Sequence, residues 1–377
     1  MVLLLISITL LYAAFLTALH HTWNQPAEPP AGEGRKKPPQ VSVLVAARDE
    51  AEGIGALLGD LGTQRYPVDS YEVIVVDDQS TDETPQIVQR KIEEGEFHLR
   101  LLRPGNPGPG ISPKKAALAL GASLARGELI ICTDADCRLG PDWIKLHADS
   151  YDEEYPDMIA GPVAHIPMPG VGSALAALDL ASLVGTGAAL IRLGYPLWAN
   201  GANISYRKAA FMEAGAFADH ISVASGDDAL LMQRFHRRRP GSVQYIRNRD
   251  ALVRTQGPAT LKDFFQQHLR WAAKWNRYLP WYGRAVPVFI FLFHALSLLA
   301  AWLTINGQFP VAVLAGTLIL RLTAEYFFLR DVVHFSGIKL NFATFLLAAL
   351  LYPLYAVVFG ILANAIPYRW KGRRFKQ

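Results

Sequence analysis

The sequence predicts an α/β domain built on an open parallel sheet and tied to a membrane by apolar helices. Three observations predict it. Short apolar runs at residues 41–46, 72–76 and 129–133 alternate with helix-compatible stretches broken by Gly or Pro. That is the pattern of parallel strands buried on both faces and joined by crossover helices. The second and third runs each end in aspartates, Asp77-Asp78 and Asp134-Ala135-Asp136. Residues 2–19, 286–305 and 340–366 carry no charged side chain, and a helix needs roughly 18 to 20 apolar residues to cross a bilayer. An open α/β sheet binds its ligands beyond the carboxyl ends of its strands, so the four aspartates are expected to face one crevice.

Composition narrows the class. Half of the 377 residues are apolar and 19% are charged, which is low for a wholly soluble chain. The net charge of +4 gathers in two short tracts, Arg35-Lys36-Lys37 and residues 368–377. Such tracts beside apolar segments suit anionic lipid headgroups. A nucleic-acid groove needs basic residues interleaved with aromatics across the soluble part, and that pattern is missing. Cys132 and Cys137 are too few to staple a domain of this size, so free thiols in a reducing compartment are expected.

Taken in order, residues 1–22 read as an uncleaved transmembrane anchor. No basic n-region precedes the apolar stretch, and no small-x-small cleavage site stands before His20-His21. Trp23 suits the interfacial end. Residues 23–40, with five prolines among 24–40, are a linker. A cytoplasmic domain is expected over 41–280. After the first strand, residues 51–61 form a helix, and Gln64-Arg65-Tyr66-Pro67 turns the chain into the second strand. Asp82-Glu83 opens a helix to about residue 94, residues 103–113 form a loop with four Pro and three Gly, and 114–126 is the helix leading to the third strand. Residues 170–194 are apolar enough to cross, yet they contain Asp179, Arg192 and five glycines. A single crossing there would put Asp134 and Asp136 on the opposite face of the membrane from the later Gly226-Asp227-Asp228. The segment is therefore expected to lie against the bilayer or the sheet.

Residues 198–205 read as a loop and strand, 207–213 as a short helix, and 228–237 as a helix ending in Arg237-Arg238-Arg239. Over 260–278, Phe265, Leu269, Ala272 and Trp275 recur at helical spacing opposite Gln267, Arg270 and Arg277, an amphipathic interfacial helix. Segments 286–305, 309–329 and 340–366 form the C-terminal membrane helices of region 286–366, and 367–377 is a basic tail. Arg321 and Glu325 stand one turn apart in the second segment and are expected to face the bundle and each other.

The chemistry rests on carboxylates. An Asp-Asp pair at a strand end is often a helix cap. Here a second cluster, Asp134-Ala135-Asp136, faces the same crevice, and oxygen ligands of this kind suit Mg²⁺ or Mn²⁺ completed by a substrate's phosphates. Asp227-Asp228 opens a helix whose dipole favours the ionised form, and an ionised carboxylate there can take the proton of an attacking hydroxyl.

The ordered set VAARDE, VVDDQSTDET, TDADC, GANISYRKAAF, SGDDALL and QHLRW resembles the membrane-anchored family 2 glycosyltransferases with a GT-A fold, the group of ceramide glucosyltransferase and of cellulose and hyaluronan synthases. The resemblance covers about residues 40 to 280. It implies a nucleotide-sugar-binding mixed sheet flanked by helices, with one N-terminal and about three C-terminal membrane helices, in a bacterial-type cytoplasmic membrane with the catalytic domain facing the cytoplasm. It implies that Ala47, Arg48 and Glu50 touch the nucleoside, that Asp78 binds the base or its surroundings, and that Lys114 sits near the nucleotide. Asp134 and Asp136 become the donor and metal aspartates, with Asp136 the better metal ligand for Mn²⁺ or Mg²⁺. Gly201, Ala202 and Asn203 match the acceptor-side segment. Asp227-Asp228 match the catalytic pair, with Asp228 the base. Gln267, Arg270 and Trp271 match the motif that closes over the diphosphate and stacks on acceptor sugar or lipid. Two positions depart from the usual pattern: Asp49 stands where Asn is more usual, and Asp227 where Glu is.

The implied activity is inverting transfer from a nucleotide sugar, UDP-linked by preference, to a membrane lipid or lipid-linked acceptor, with membrane lipids as surroundings and no nucleic-acid partner. A processive polysaccharide synthase is the alternative, against which stand only four hydrophobic segments. A non-catalytic nucleotide-binding scaffold is the alternative of another class, and it has no need of Asp228. Topology sets two rules at odds. A cytoplasmic domain followed by three crossings exports the C-terminus, yet the last ten residues hold five Lys or Arg and no acid, which the positive-inside rule keeps in the cytoplasm. One segment is therefore expected not to cross fully. Residues 340–366 are the best candidate, because Pro353 favours a kink or a re-entrant turn there. Segment 309–329, with its two charges, is the other.

Overall fold

The computed structural model describes residues 1–26, 37–105, 108, 111–152, 155–215, 217, 226, 228–272, 280–362, 368–370 and 373–375. In chain order the elements are α1 (Val2–Asn24), β1 (Val41–Ala47), α2 (Ile54–Gly62), β2 (Tyr71–Asp77), α3 (Thr84–Glu94), β3 (Leu99–Leu102), α4 (Pro113–Leu124) and β4 (Leu129–Asp134). Then come α5 (Trp143–Asp149), β5 (Met158–Ala160), β6 (Val163–His165), α6 (Val171–Arg192), β7 (Ile204–Arg207), α7 (Lys208–Glu213), α8 (Ala229–Arg238), β8 (Val243–Tyr245) and β9 (Val253–Thr255). The last are α9 (Leu261–Ala272), α10 (Trp281–Ile305), α11 (Val311–Phe335), α12 (Phe342–Leu362), β10 (Tyr368–Trp370) and β11 (Arg373–Phe375). They form two units, residues 26–166 with 194–256, and residues 1–25 with 167–193 and 257–377. α6 and α9 belong to the second of these units.

The first unit is organised by its sheet, ordered β3-β2-β1-β4-β7-β5-β8. The strands β1, β2, β3 and β4 run parallel, while β7 is antiparallel to both β4 and β5. Every residue of β2 is buried, and Val73, Ile74, Val75 and Val76 have no exposed surface. Each such side chain contributes about 1.5–3 kcal/mol of burial, which is why the apolar runs are continuous rather than alternating. α2 buries Ile54, Leu57, Leu58 and Leu61, one stripe at helical spacing. α3 begins with Pro85 in its first turn and stops at Gly95 in the left-handed region, φ 68°. α4 packs on β1 and β2. Gly121 allows this, since a Cβ there would lie 3.2 Å from Leu44 and 3.3 Å from Val76. Cys132 and Cys137 are buried and are not joined in a disulfide.

The second unit is a helical assembly whose contacts fix the level of each helix. Leu5 of α1 clusters with Ala300 of α10 and with Val313 and Leu314 at the start of α11. At the opposite end His20 and Asn24 of α1 bond Asp331 of α11 at 2.7 and 2.9 Å, and Trp23 packs on Phe335. These three helices run end to end through the unit. α6 does not. Arg192 bonds the carbonyls of Thr22 and Gln25, Gly185 fits against Val332 and Phe328, and Asp179 meets α9. Every one of these partners on α1 and α11 belongs to the end that holds Asp331. Length and composition alone make α6 one of five helices able to cross a membrane among the described residues.

α12 also lies across its neighbours. Phe345 packs on Tyr326, the Ala349 carbonyl meets Arg321, Tyr352 meets His294, and a Cβ at Gly360 would lie 2.6 Å from Phe291. At 1.5 Å per residue these partners sit about 14 to 21 Å from the ends of α10 and α11 nearest Asp331. A helix about 31 Å long is thus confined to a narrow band of depth. The re-entrant turn expected at Pro353 does not form, for α12 continues through it. Proline lacks an N–H, which leaves the Ala349 carbonyl without its helical donor, and Arg321 Nη2 donates to that carbonyl at 2.5 Å. Arg321 Nε also donates to Glu325 at 2.8 Å, and the Tyr12 hydroxyl donates to the same Glu325 oxygen at 2.9 Å. The expected Arg321–Glu325 pair is therefore part of a tie among α1, α11 and α12.

Candidate active site

Strand register builds the crevice. In the parallel pairs, Ala47 stands beside Asp77 and Ala46 beside Asp134, so the carboxyl ends of β1, β2 and β4 are level. Asp77 is 1% exposed, accepts from the Ser80 N–H at 3.0 Å and from Arg103 Nε at 3.2 Å, and so shapes the loop. Asp78 faces Arg48, whose Nη1 donates to the Asp78 carbonyl at 2.9 Å and lies 3.8 Å from its carboxylate. The Asp78 N–H donates to the Ala47 carbonyl at 2.8 Å. Ala47, Arg48 and Asp78 therefore meet. Asp49 explains its own departure from the usual Asn: it has φ 50°, a region both residues tolerate. Its carboxylate also accepts from Thr81 N at 2.7 Å and Thr81 Oγ1 at 3.1 Å. The Glu50 N–H donates to Thr84 Oγ1 at 2.8 Å, which ties this loop to the start of α3.

Lys114, in the first turn of α4, reaches Asp134 Oδ1 at 2.9 Å. Lys114, Thr133, Asp134 and Gly201 line one small pocket, whose other walls include Tyr206, Phe217 and Leu231. The Gly201 N–H donates to Asp228 Oδ2 at 3.2 Å, while Asp228 Oδ1 accepts from Ala229 N at 2.6 Å at the N-terminus of α8. The chain thus brings Lys114, Asp134 and Gly201 to one pocket, and Asp228 is tied to it through Gly201. Asp227 lies outside the described residues.

Asp136 is held from the other side. Its Oδ2 accepts from Thr255 Oγ1 at 3.1 Å, and the turn after it is fixed by Cys137 N donating to the Asp134 carbonyl at 3.2 Å. Arg138 and Arg254 exchange backbone hydrogen bonds at 2.7 and 3.0 Å, joining this loop to β9. Thr255 was invisible in the sequence, since a three-residue strand carries no readable period. Burial, then the charges of Asp134 and Asp136, push the Cys137 thiol well above its ordinary range, so it stays protonated beside them.

Among the described residues, no three His, Cys, Asp or Glu side chains gather to hold a metal ion. A protein cage is therefore absent there, but the donor set still fits a hard cation bridged by substrate. Mg²⁺ in particular is held by one or two carboxylates plus phosphate oxygens and water, and Asp134 and Asp136 are oxygen donors at a crevice edge.

Asn203 needs correction as an acceptor contact. It is completely buried in the 3₁₀ turn Gly201–Asn203. Its Oδ1 accepts from Trp143 Nε1 and His147 Nε2, each at 2.9 Å, and its Nδ2 donates to the Pro162 and Ala251 carbonyls, each at 2.8 Å. All four amide bonding positions are used within the protein. Asn203 instead fixes the turn from which Gly201 holds Asp228. Ala202 is 2% exposed and likewise faces inward.

His147 is the neutral partner in this network, its Nδ1 accepting from Ser205 Oγ at 2.8 Å. Burial drops its pKa to about 4 from 6.5, the hydrogen bond to Asn203 opposing the fall. The folded state therefore resists a proton that the unfolded chain accepts. This contribution is intact above about pH 6.5 and is lost as pH falls toward 4, by up to about 3 kcal/mol. Denaturant melts between pH 7 and 4 should show that loss, and His147→Gln should flatten it. An unchanged pH dependence in His147→Gln contradicts the assignment.

Gln267, Arg270 and Trp271 lie on α9, in the other unit, each half-buried.

Residues 42–213 match the glycosyl transferase family 2 model, and residues 129–367 match that of glycosyl transferase family group 2. A beta-monoglucosyldiacylglycerol synthase of Nostoc sp. is 38% identical over 106 residues, 28% of this chain and 22% of that protein. The poly(ribitol-phosphate) beta-N-acetylglucosaminyltransferase TarS of Staphylococcus aureus is 33% identical over 118 residues, 31% of this chain and 20% of its own. The matches thus span only about a fifth of these curated relatives. Among solved structures, the mannosyltransferase PcManGT of Pyrobaculum calidifontis, in complex with GDP-Man and Mn²⁺, aligns over 95% of both chains with TM-score 0.54 and 17% identity. At that identity the likeness concerns the fold.

Proposed function

This chain belongs to glycosyl transferase family group 2, and on that premise we propose that it is an inverting, metal-assisted glycosyltransferase acting on a membrane lipid or lipid-linked acceptor. The donor is a nucleotide sugar, UDP-linked by preference. The observation that carries the reading is the shared wall: Asp134 and Gly201 line one pocket, and Gly201 holds Asp228. Ala47, Arg48, Glu50 and Asp78 take the nucleoside end, and Lys114 the phosphates. Asp136, with Asp134 beside it, holds the Mn²⁺ or Mg²⁺. When bound, such an ion neutralises charge on the leaving diphosphate.

Asp228 accepts the proton of the acceptor hydroxyl. That oxygen forms a bond to the anomeric carbon, the carbon–oxygen bond to the diphosphate breaks, and its electron pair leaves with the nucleoside diphosphate. Asp227 stands beside the base in sequence. Gly201 orients Asp228 through its N–H, and Gln267, Arg270 and Trp271 serve the diphosphate and the acceptor.

A processive synthase needs a route for its polymer, and the contacts in the helical unit favour single transfer. α1, α10 and α11 run end to end, while α6 and α12 stay at one side. Two end-to-end helices follow α9 and return the chain to its starting side, and the basic tail then rests in the cytoplasm as the positive-inside rule demands. A paired reporter at the C-terminus, one half fluorescent only inside and the other active only outside, should show the inside signal. An outside signal alone means that α12 crosses. The function itself is tested on membranes supplied with UDP-glucose, UDP-GlcNAc, UDP-galactose and GDP-mannose, with and without Mn²⁺ or Mg²⁺. A lipid product heavier by one sugar is expected, and a polymer ladder supports the processive alternative.

A further inference from the structure

α6 carries two charged residues in 22, Arg192 at its end and Asp179 within. Asp179 is answered by His268 of α9, whose Nε2 lies 2.8 Å from Asp179 Oδ2. The other ring nitrogen, Nδ1, lies 2.8 Å from the carbonyl oxygen of Phe264, one turn back. Both ring nitrogens thus lie within hydrogen-bond distance of an oxygen acceptor, and a ring that turns out of this plane leaves both. His268 is 5% exposed, and its ring packs among Phe264, Trp271, Tyr355 and Phe359. An acid or an imidazole without a partner in such surroundings is expensive, so the two residues hold each other in place.

We propose that the Asp179–His268 pair is the positioning device for Gln267, Arg270 and Trp271. The proposal rests on the reading that assigns those three to diphosphate and acceptor. Successive side chains of an α-helix turn by about 100°. Trp271, Gln267 and Arg270 therefore point roughly 60°, 100° and 160° away from His268, all toward the same side. The roll of α9 is fixed where His268 meets α6, and that roll aims all three. The Trp271 ring is additionally held at its edge by the His268 ring, 4.9 Å between centroids. Asp179 and His268 themselves touch no substrate.

The test uses the full chain in membranes and the nucleotide sugar that the wild type turns over. His268→Gln and Asp179→Asn should each lower kcat by about 10- to 100-fold, the scale of catalytic misplacement, with thermal unfolding near that of the wild type. His268→Gln added to Arg270→Ala should lower the rate little further, because both remove one contribution. The exchanged pair Asp179→His with His268→Asp should recover most of the rate. Wild-type rates in both single variants, while Arg270→Ala abolishes transfer, overturn the pairing. So does a full multiplication of the His268→Gln and Arg270→Ala effects, which marks general loosening. If Arg270→Ala itself leaves transfer intact, the assignment of α9 to the site is what fails.

Discussion

Asp136→Asn should yield a folded protein that no longer transfers sugar and whose nucleotide binding no longer responds to Mn²⁺ or Mg²⁺. The substitution keeps the shape and the bond from Thr255 Oγ1, so β9 and the loop joined to it stay in place. It removes the negative charge, and a neutral amide oxygen is a much poorer ligand for a hard cation than a carboxylate. Asp134 does not compensate, since Lys114 already pairs with its Oδ1. Calorimetric titration with UDP, with and without Mn²⁺, separates loss of the metal response from loss of the fold. Near wild-type turnover in Asp136→Asn removes Asp136 from the metal site.

Asp228→Asn should behave differently. Donor and metal still bind, while transfer falls by about 10² or more, the scale of losing a general base. The Gly201 and Ala229 N–H groups bond different oxygens of the carboxylate, so the asparagine keeps one of these two bonds and loses the other, a local change at the turn and the start of α8. The loss that bears on the rate is the capacity to take a proton. UDP affinity within a few-fold of wild type, alongside the fall in rate, is the expected combination. A large loss of affinity places Asp228 among the donor contacts instead.

Much of the catalytic unit was legible because its central strands are covered on both faces. Continuous apolar runs announced β1, β2 and β4, and the aspartates ending the last two marked the crevice edge. The short strands β5, β6, β8 and β9 were not legible, being three residues each, and with them went Thr255 as the partner of Asp136. Asn203 misled for a different reason. A polar residue in a Gly-Ala-Asn turn reads as ligand-facing, whereas its four hydrogen bonds run inward to Trp143, His147, Pro162 and Ala251. In the helical unit, hydropathy found α6 and α12 without giving their direction. Asp179 and Pro353 held the clue, since each creates a polar demand that only a specific neighbour, His268 or Arg321, satisfies.

The central claim is a single displacement with Asp228 as base, and the anomeric configuration of the product tests it most directly. An α-linked donor such as UDP-glucose, or whichever α-linked nucleotide sugar the protein turns over, is supplied to membranes. The purified product is then read by NMR from the coupling at its new anomeric proton. One displacement inverts the centre, so a β-linked product is predicted. An α-linked product contradicts the account, because retention requires a second displacement or a front-face route that Asp228 as general base does not provide.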